Sequence, residues 1–129
     1  VVFGDASARI ALNQLVHPAV MCETRSWLEQ QVGNTAVLIP LLVEIGWVDG
    51  WDAVICVSAD EPEVLRRMNQ RGWSAEEARK RMAAQMPLAE KEEQSDFIIQ
   101  NNETLDALRL ETRTVLERIR NQRNMDERR

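Results

Sequence analysis

"DAVICVSADEPEVLRRMNQ", residues 52–70, sets the fold class. Residues 52–59 are apolar and β-branched with little alternation, which predicts a strand buried on both faces. Asp60 or Ser58 then serves as N-cap, and a helix is predicted from about Glu61 to Gln70. Pro62 falls in its first turn, where a missing N–H costs nothing. A strand passing directly into a helix is the building unit of a parallel sheet.

The same grammar extends in both directions. "TAVLIPLL", residues 35–42, predicts another strand buried on both sides, and "DFIIQN", residues 96–101, a short third one. A final helix is expected from Thr104 to about Gln122, with Leu105, Leu108, Val115, Leu116 and Ile119 facing inward. Upstream, residues 5–16 read as a helix capped by Asp5, with Ala8, Leu12, Leu15 and Val16 on one face. His17-Pro18 is expected to interrupt it, and a second helix to run to about Val32, closed by Gly33-Asn34. Strands alternating with helices imply an α/β domain with a parallel sheet and right-handed crossovers.

"RGWSAEEARKRMAAQMP", residues 71–87, predicts a short helix with a capping box, Ser74 and Glu77, at its start and Pro87 as its boundary. Ala75, Ala78, Met82 and Met86 form a thin apolar stripe. Arg81 and Gln85 fall one turn apart on a flank, and Arg71 lies just ahead of the cap.

The chain has 129 residues, 44% apolar and 29% charged, with a formal charge of −5. That is enough for one domain with a core, and the net charge argues against a nucleic-acid partner, where phosphate neutralisation dominates. The arginines at 118, 120, 123, 128 and 129 read as a solvated tail. Cys22 and Cys56 have neither zinc-site nor disulfide spacing, which points to a reducing cytoplasm. "AVLIPLLV" is too short to span a bilayer. The chain starts at Val1, and "VVF" reads as the middle of something, so the natural N-terminus is expected upstream.

Several chemistries have no support. His17 has no serine in a G-x-S-x-G turn to serve, and H-E-x-x-H and EF-hand patterns are absent. G-x-x-x-x-G-K-[ST] is also absent: neither lysine, Lys80 or Lys91, follows a glycine. What remains is a set of candidates, each with a plain alternative. His17 is a packing histidine or a site residue. Glu44 and Asn101 lie just past expected strand ends, where ligands gather in open α/β sheets, or are an ordinary loop carboxylate and a turn residue. Arg71, Arg81 and Gln85 line a binding flank or a solvated helix face.

Taken in order, "LNQLVHP" (12–18), "IPLLVE" (39–44), "RGWSAEEARKRMAAQMPLAEK" (71–91) and "SDFIIQNNETL" (95–105) resemble dephospho-CoA kinase. The resemblance implies a P-loop core with a helical substrate region and a mobile lid, similar to nucleoside-monophosphate kinases. It implies transfer of the ATP γ-phosphate, with magnesium, to the ribose 3′-hydroxyl of dephospho-CoA, the last step of coenzyme A synthesis. On that reading 1–34 is the helical substrate region, 35–66 and 95–129 are two parts of the core, and 67–94 is the lid. Arg71 and Arg81 would contact ATP phosphates, because a guanidinium stays charged and donates in a planar fork. Gln85 would support the closed lid, and Asn101 would lie beside the adenine. Arg9, His17 and Pro18 would belong to the substrate region, and Glu44 is the acidic residue after a core strand.

The family's first strand, its phosphate loop and the aspartate that accepts the hydroxyl proton have no counterpart in these residues. The chain is therefore expected to be a C-terminal portion, inactive alone, with ATP and magnesium relying on the missing segment. Its open strand edges would invite self-association. Two rivals stand beside this reading: a non-catalytic nucleotide- or CoA-binding module, and a different P-loop small-molecule kinase.

Overall fold

A computed structural model describes residues 6–126. The chain divides into two compact units, Val1–Leu41 and Leu42–Arg129. The expected cap at Asp5 lies outside the described residues, as do the side chains of Ala8 and Arg9.

In the first unit, helix α1 runs Ala6–Leu28 without interruption, with Pro18 inside it. The expected break at His17-Pro18 is not found. Proline removes one N–H and crowds the preceding turn, but the helical segments on both sides are long enough to sustain the helix across it. The expected inward face is open as well: Leu12, Leu15 and Val16 are exposed, Leu15 by 76%. Among the described residues of this unit α1 is the only regular element, so that face has no neighbouring element there. The chain leaves α1 four residues earlier than expected, and Gly33, with φ 88°, belongs to the irregular stretch that follows.

The strand expected at 35–42 is absent. These residues form no ladder, Leu38 is 92% exposed, and a run of turns begins at Pro40. A lone extended segment cannot satisfy its backbone without a partner strand, and a proline withdraws one donor more.

The second unit holds the parallel sheet. Strand β1 is Ile55–Ser58 and β2 is Phe97–Gln100, paired in parallel with Ile55 opposite Phe97 and Ser58 opposite Gln100. Helix α2 (Glu61–Gln70), α3 (Ala75–Ala83) and α4 (Leu88–Glu93) come between the strands, and α5 (Leu105–Asp126) follows β2. The parallel α/β class is as expected, with two strands among the described residues instead of three.

Alternation and register place Ile55, Val57, Phe97 and Ile99 on one face of the sheet. Helix α5 covers the β2 half of it, where Phe97, Ile99 and Val115 form the core with Ala53, Leu108 and Ile119 against them. Ile55 and Val57 remain exposed, so β1 is not buried on both sides. Helix α4 packs on β1. Leu105, 61% exposed, and Leu116 do not face inward as expected. The core under α5 is two strands wide at most, and Leu108, Val115 and Ile119 suffice to cover it.

Local chemistry explains the helix ends. The capping box forms as expected: Ser74 Oγ accepts from Glu77 N at 3.2 Å, and Ser74 N donates to Glu77 Oε2 at 2.9 Å. Glu77 is held below the usual carboxylate range, chiefly by the Ser74 hydroxyl. Asp60 is the N-cap of α2, but its side chain makes no cap bond. Thr104 Oγ1 accepts from Ala107 N at 3.2 Å and starts α5. Replacing Ser74 by alanine should cost about 1 kcal/mol of helix stability, read as roughly five-fold faster amide exchange at Ala78 to Met82. Unchanged exchange there would remove the cap's role.

Candidate functional site

Two parallel strands end side by side, and of the predicted residues Asn101 lies at that edge. Asp96 ties the entry of the sheet, accepting from Val54 N at 2.7 Å, while its own N–H donates to Val54 O at 2.9 Å. At the carboxyl ends, Asn101 N donates to Ser58 O at 2.7 Å, and Asp60 N donates to Asn102 Oδ1 at 2.7 Å. Asn101 is therefore fixed by a backbone bond that extends the ladder past β2. Its side-chain Oδ1 accepts from Arg67 Nη2 at 3.3 Å. Arg67 is in turn held by Glu63, with Nε 2.7 Å from Oε1.

Glu63 takes a fork from Arg66 as well, at 2.7 and 2.6 Å, and these bonds bring its carboxyl down to about 2. Arg66 is pushed up by the same contact. Because the folded value lies below the ordinary 4.5, the stabilisation is fully present above pH 4.5 and is lost as pH falls toward about 2. In the full-length protein, Glu63→Gln should flatten the pH dependence of the melting temperature in that window. A wild-type slope surviving in the variant would show that Glu63 does not carry it.

Glu44 lies on the turn run that replaces the expected strand. Its Oε1 is buried and faces Lys91 Nζ at 2.6 Å, an ion pair whose alignment is not that of a hydrogen bond. Lys91, on α4, also donates to Gln85 Oε1 at 3.1 Å. Glu44, Lys91 and Gln85 thus form one chain of contacts. Cys56, on the adjoining strand, has its thiol pushed up by burial first and then by the carboxylate of Glu92.

Residues 71–87, the expected lid, depart from expectation in two respects. Helix α3 ends at Ala83, with Ala84 as its C-cap, so Gln85 is not one turn along the helix from Arg81. The segment turns before Pro87, and Gln85 reaches Lys91 instead. Ala78 is fully buried and Met82 and Met86 are half-buried, whereas Ala75 is exposed. Arg71 is the C-cap of α2 and is exposed. Gly72, with φ 86°, follows in the left-handed conformation that favours glycine. Its N–H donates to Asn69 O at 2.9 Å, and Trp73 N donates to Met68 O at 3.1 Å, the double bond pattern of a glycine-terminated helix. The guanidinium of Arg81 lies over the Trp73 ring, 3.8 Å from its centroid.

His17 is half-buried on α1 and Pro18 is exposed there. Pro18 lines an open depression along the same helix with Met21, Cys22, Arg25, Ser26 and Glu29. The second unit brings together Arg67 with Asn101, and Glu44 with Gln85. His17, Pro18 and Arg9 belong to the first unit.

Lys91, Arg67 and Trp73 escaped sequence reading. Lys91 is one of only two lysines, and "RRMNQRGW" carries the arginine–glycine pair that ends α2. Those were the available clues. Among the described residues no group of three or more His, Cys, Asp or Glu could hold a metal ion. The magnesium that the resemblance implies finds no ligand cluster there. No helix among the described residues is long and apolar enough to cross a membrane.

Comparison with known proteins gives the family. The family model for dephospho-CoA kinase matches residues 1–107. The chain is 40% identical over 121 residues to dephospho-CoA kinase of Geobacillus kaustophilus, covering 90% of this chain and 60% of that protein. It is 43% identical over 114 residues to that of Symbiobacterium thermophilum, covering 84% and 48%. Dephospho-CoA kinase from Campylobacter jejuni superposes with a TM-score of 0.57 at 30% identity, covering 92% of this chain and 61% of that one. A Thermus thermophilus crystal structure superposes at 0.74, with 33% identity and coverage of 91% and 62%. The chain thus spans between 48% and 60% of the length of these curated relatives. With the family model matched across residues 1–107, the chain belongs to the dephospho-CoA kinase family.

Proposed function

We propose that the full-length protein transfers the γ-phosphate of ATP to the ribose 3′-hydroxyl of dephospho-CoA. The observation that carries this reading is the family match across 1–107. In it, Arg71 and Arg81 meet the ATP phosphates from the lid. Among the described residues neither forms an ion pair, whereas the other arginines of α2 and α3, Arg66, Arg67 and Arg79, each pair with a carboxylate. Two guanidinium groups without a carboxylate partner are what a migrating phosphoryl group requires, because its charge is stabilised by positioned donors. Swinging them in on a short segment also excludes water as a competing acceptor.

Asn101 sits beside the adenine. With its Oδ1 engaged by Arg67, its amide N–H2 is left to donate to a ring nitrogen. Glu44, His17, Pro18 and Arg9 serve the acceptor substrate, and Gln85 supports the lid through Lys91. Self-association of this chain through the edge of β1 left unpaired among the described residues is a secondary proposal.

Radiolabelled ATP offered with dephospho-CoA, AMP or CMP tests the acceptor. Label is expected on dephospho-CoA alone. Label on a nucleoside monophosphate instead would favour a different P-loop kinase, and ATP binding with no transfer would favour a non-catalytic module.

A further inference from the structure

We propose that Trp73 is a positioning residue for the transfer, holding Arg81 in place through its indole face. The inference rests on the phosphate role proposed above for Arg81 and adds a residue that role requires. Trp73 sits between two helix terminators. On one side the turn at Gly72 ends α2 and locks Trp73 N onto Met68 O at 3.1 Å. On the other, Ser74 caps α3. The indole is therefore placed by backbone geometry at both neighbours, and it is half-buried. Arg81, in the last turn of α3, lays its guanidinium on that surface at 3.8 Å.

The choice of an aromatic partner matters for what Arg81 can do next. A carboxylate would hold the guanidinium by occupying its N–H groups and cancelling its charge. A ring face holds it by the cation–π attraction and leaves the N–H donors pointing outward along the edge. The surroundings keep it so. Arg79 and Lys80, its neighbours, pair with Glu61 and Glu76. Glu77, near enough to feel the charge of Arg81, turns its Oε2 to Ser74. Held this way, Arg81 keeps its full charge and loses rotamer freedom before phosphate arrives, which lowers the entropic cost of the contact.

Steady-state kinetics of the full-length protein test this with Trp73→Ala, Trp73→Phe, Arg81→Ala and the Trp73→Ala/Arg81→Ala double variant. Trp73→Ala should lower kcat about five-fold, the size of a half-exposed cation–π contact, with KM for dephospho-CoA within two-fold. Trp73→Phe, which keeps a ring face and the fold, should recover most of that loss. In the Arg81→Ala background, Trp73→Ala should add no further loss. An equal Trp73 effect in both backgrounds, or no effect of Trp73→Ala, would overturn the tryptophan's part while leaving Arg81's role intact. Full kcat in Arg81→Ala would instead remove the reading beneath it, and the inference with it.

Discussion

Arg81→Ala in the full-length protein is expected to lower kcat on the order of 10²-fold, with KM for dephospho-CoA changed only a few-fold. The size follows from where the contact is made. A phosphoryl group in flight spreads its charge over its equatorial oxygens, so a donor aimed at them acts on the barrier more than on ground-state binding. Arg81 meets the structural conditions: it is stacked 3.8 Å over Trp73 and forms no ion pair among the described residues. Lysine at this position should restore little, because an ammonium neither stacks in a plane nor forks onto two oxygens. Steady-state kinetics with both substrates varied check it. An Arg81→Ala enzyme with wild-type kcat would leave Arg81 as surface charge.

Phe97→Ala should cost about 3–5 kcal/mol of folding stability. Phe97 opens β2, is only 6% exposed, and packs with Ile99 and Val115 beneath α5. The described core is small, so the void left by a phenyl ring has few neighbours able to close it. The cation of Arg118, 5.3 Å from the ring centroid, would lose its contact too. Urea denaturation of the full-length protein should show the midpoint shift without a change in slope. A loss under 1 kcal/mol would mean that the α5–β2 packing does not anchor the sheet.

How far the sequence was legible depended on where each residue's constraints came from. β2, α2 and the Ser74 cap were readable because their causes are local: a short β-branched run, a proline in a first turn, and a hydroxyl three residues before a carboxylate. The segment 35–42 misled because strand formation is a property of pairs. Its composition favours a strand, but no described neighbour supplies the ladder. α1 misled in the opposite direction, since a proline penalty read alone outweighs the helix on both sides of it, and the pattern does not show that the two halves continue one another.

In the candidate site, Arg71, Arg81, Glu44 and Asn101 were nominated in sequence, but their partners were not. Lys91 lies 47 positions from Glu44, and Arg67 lies 34 from Asn101; no periodicity links residues so far apart. Trp73 was within reach, eight positions before Arg81, yet the stack depends on Gly72 turning the chain back through a positive φ.

The full-length protein is proposed to be a kinase acting on the 3′-hydroxyl of dephospho-CoA. Product analysis by phosphorus NMR tests it most directly. Purified full-length protein with ATP and dephospho-CoA should yield a new ribose 3′-phosphomonoester and one ADP for each coenzyme A formed. ADP accumulating with inorganic phosphate while dephospho-CoA stays unchanged, or phosphate appearing at another position of the acceptor, would contradict it.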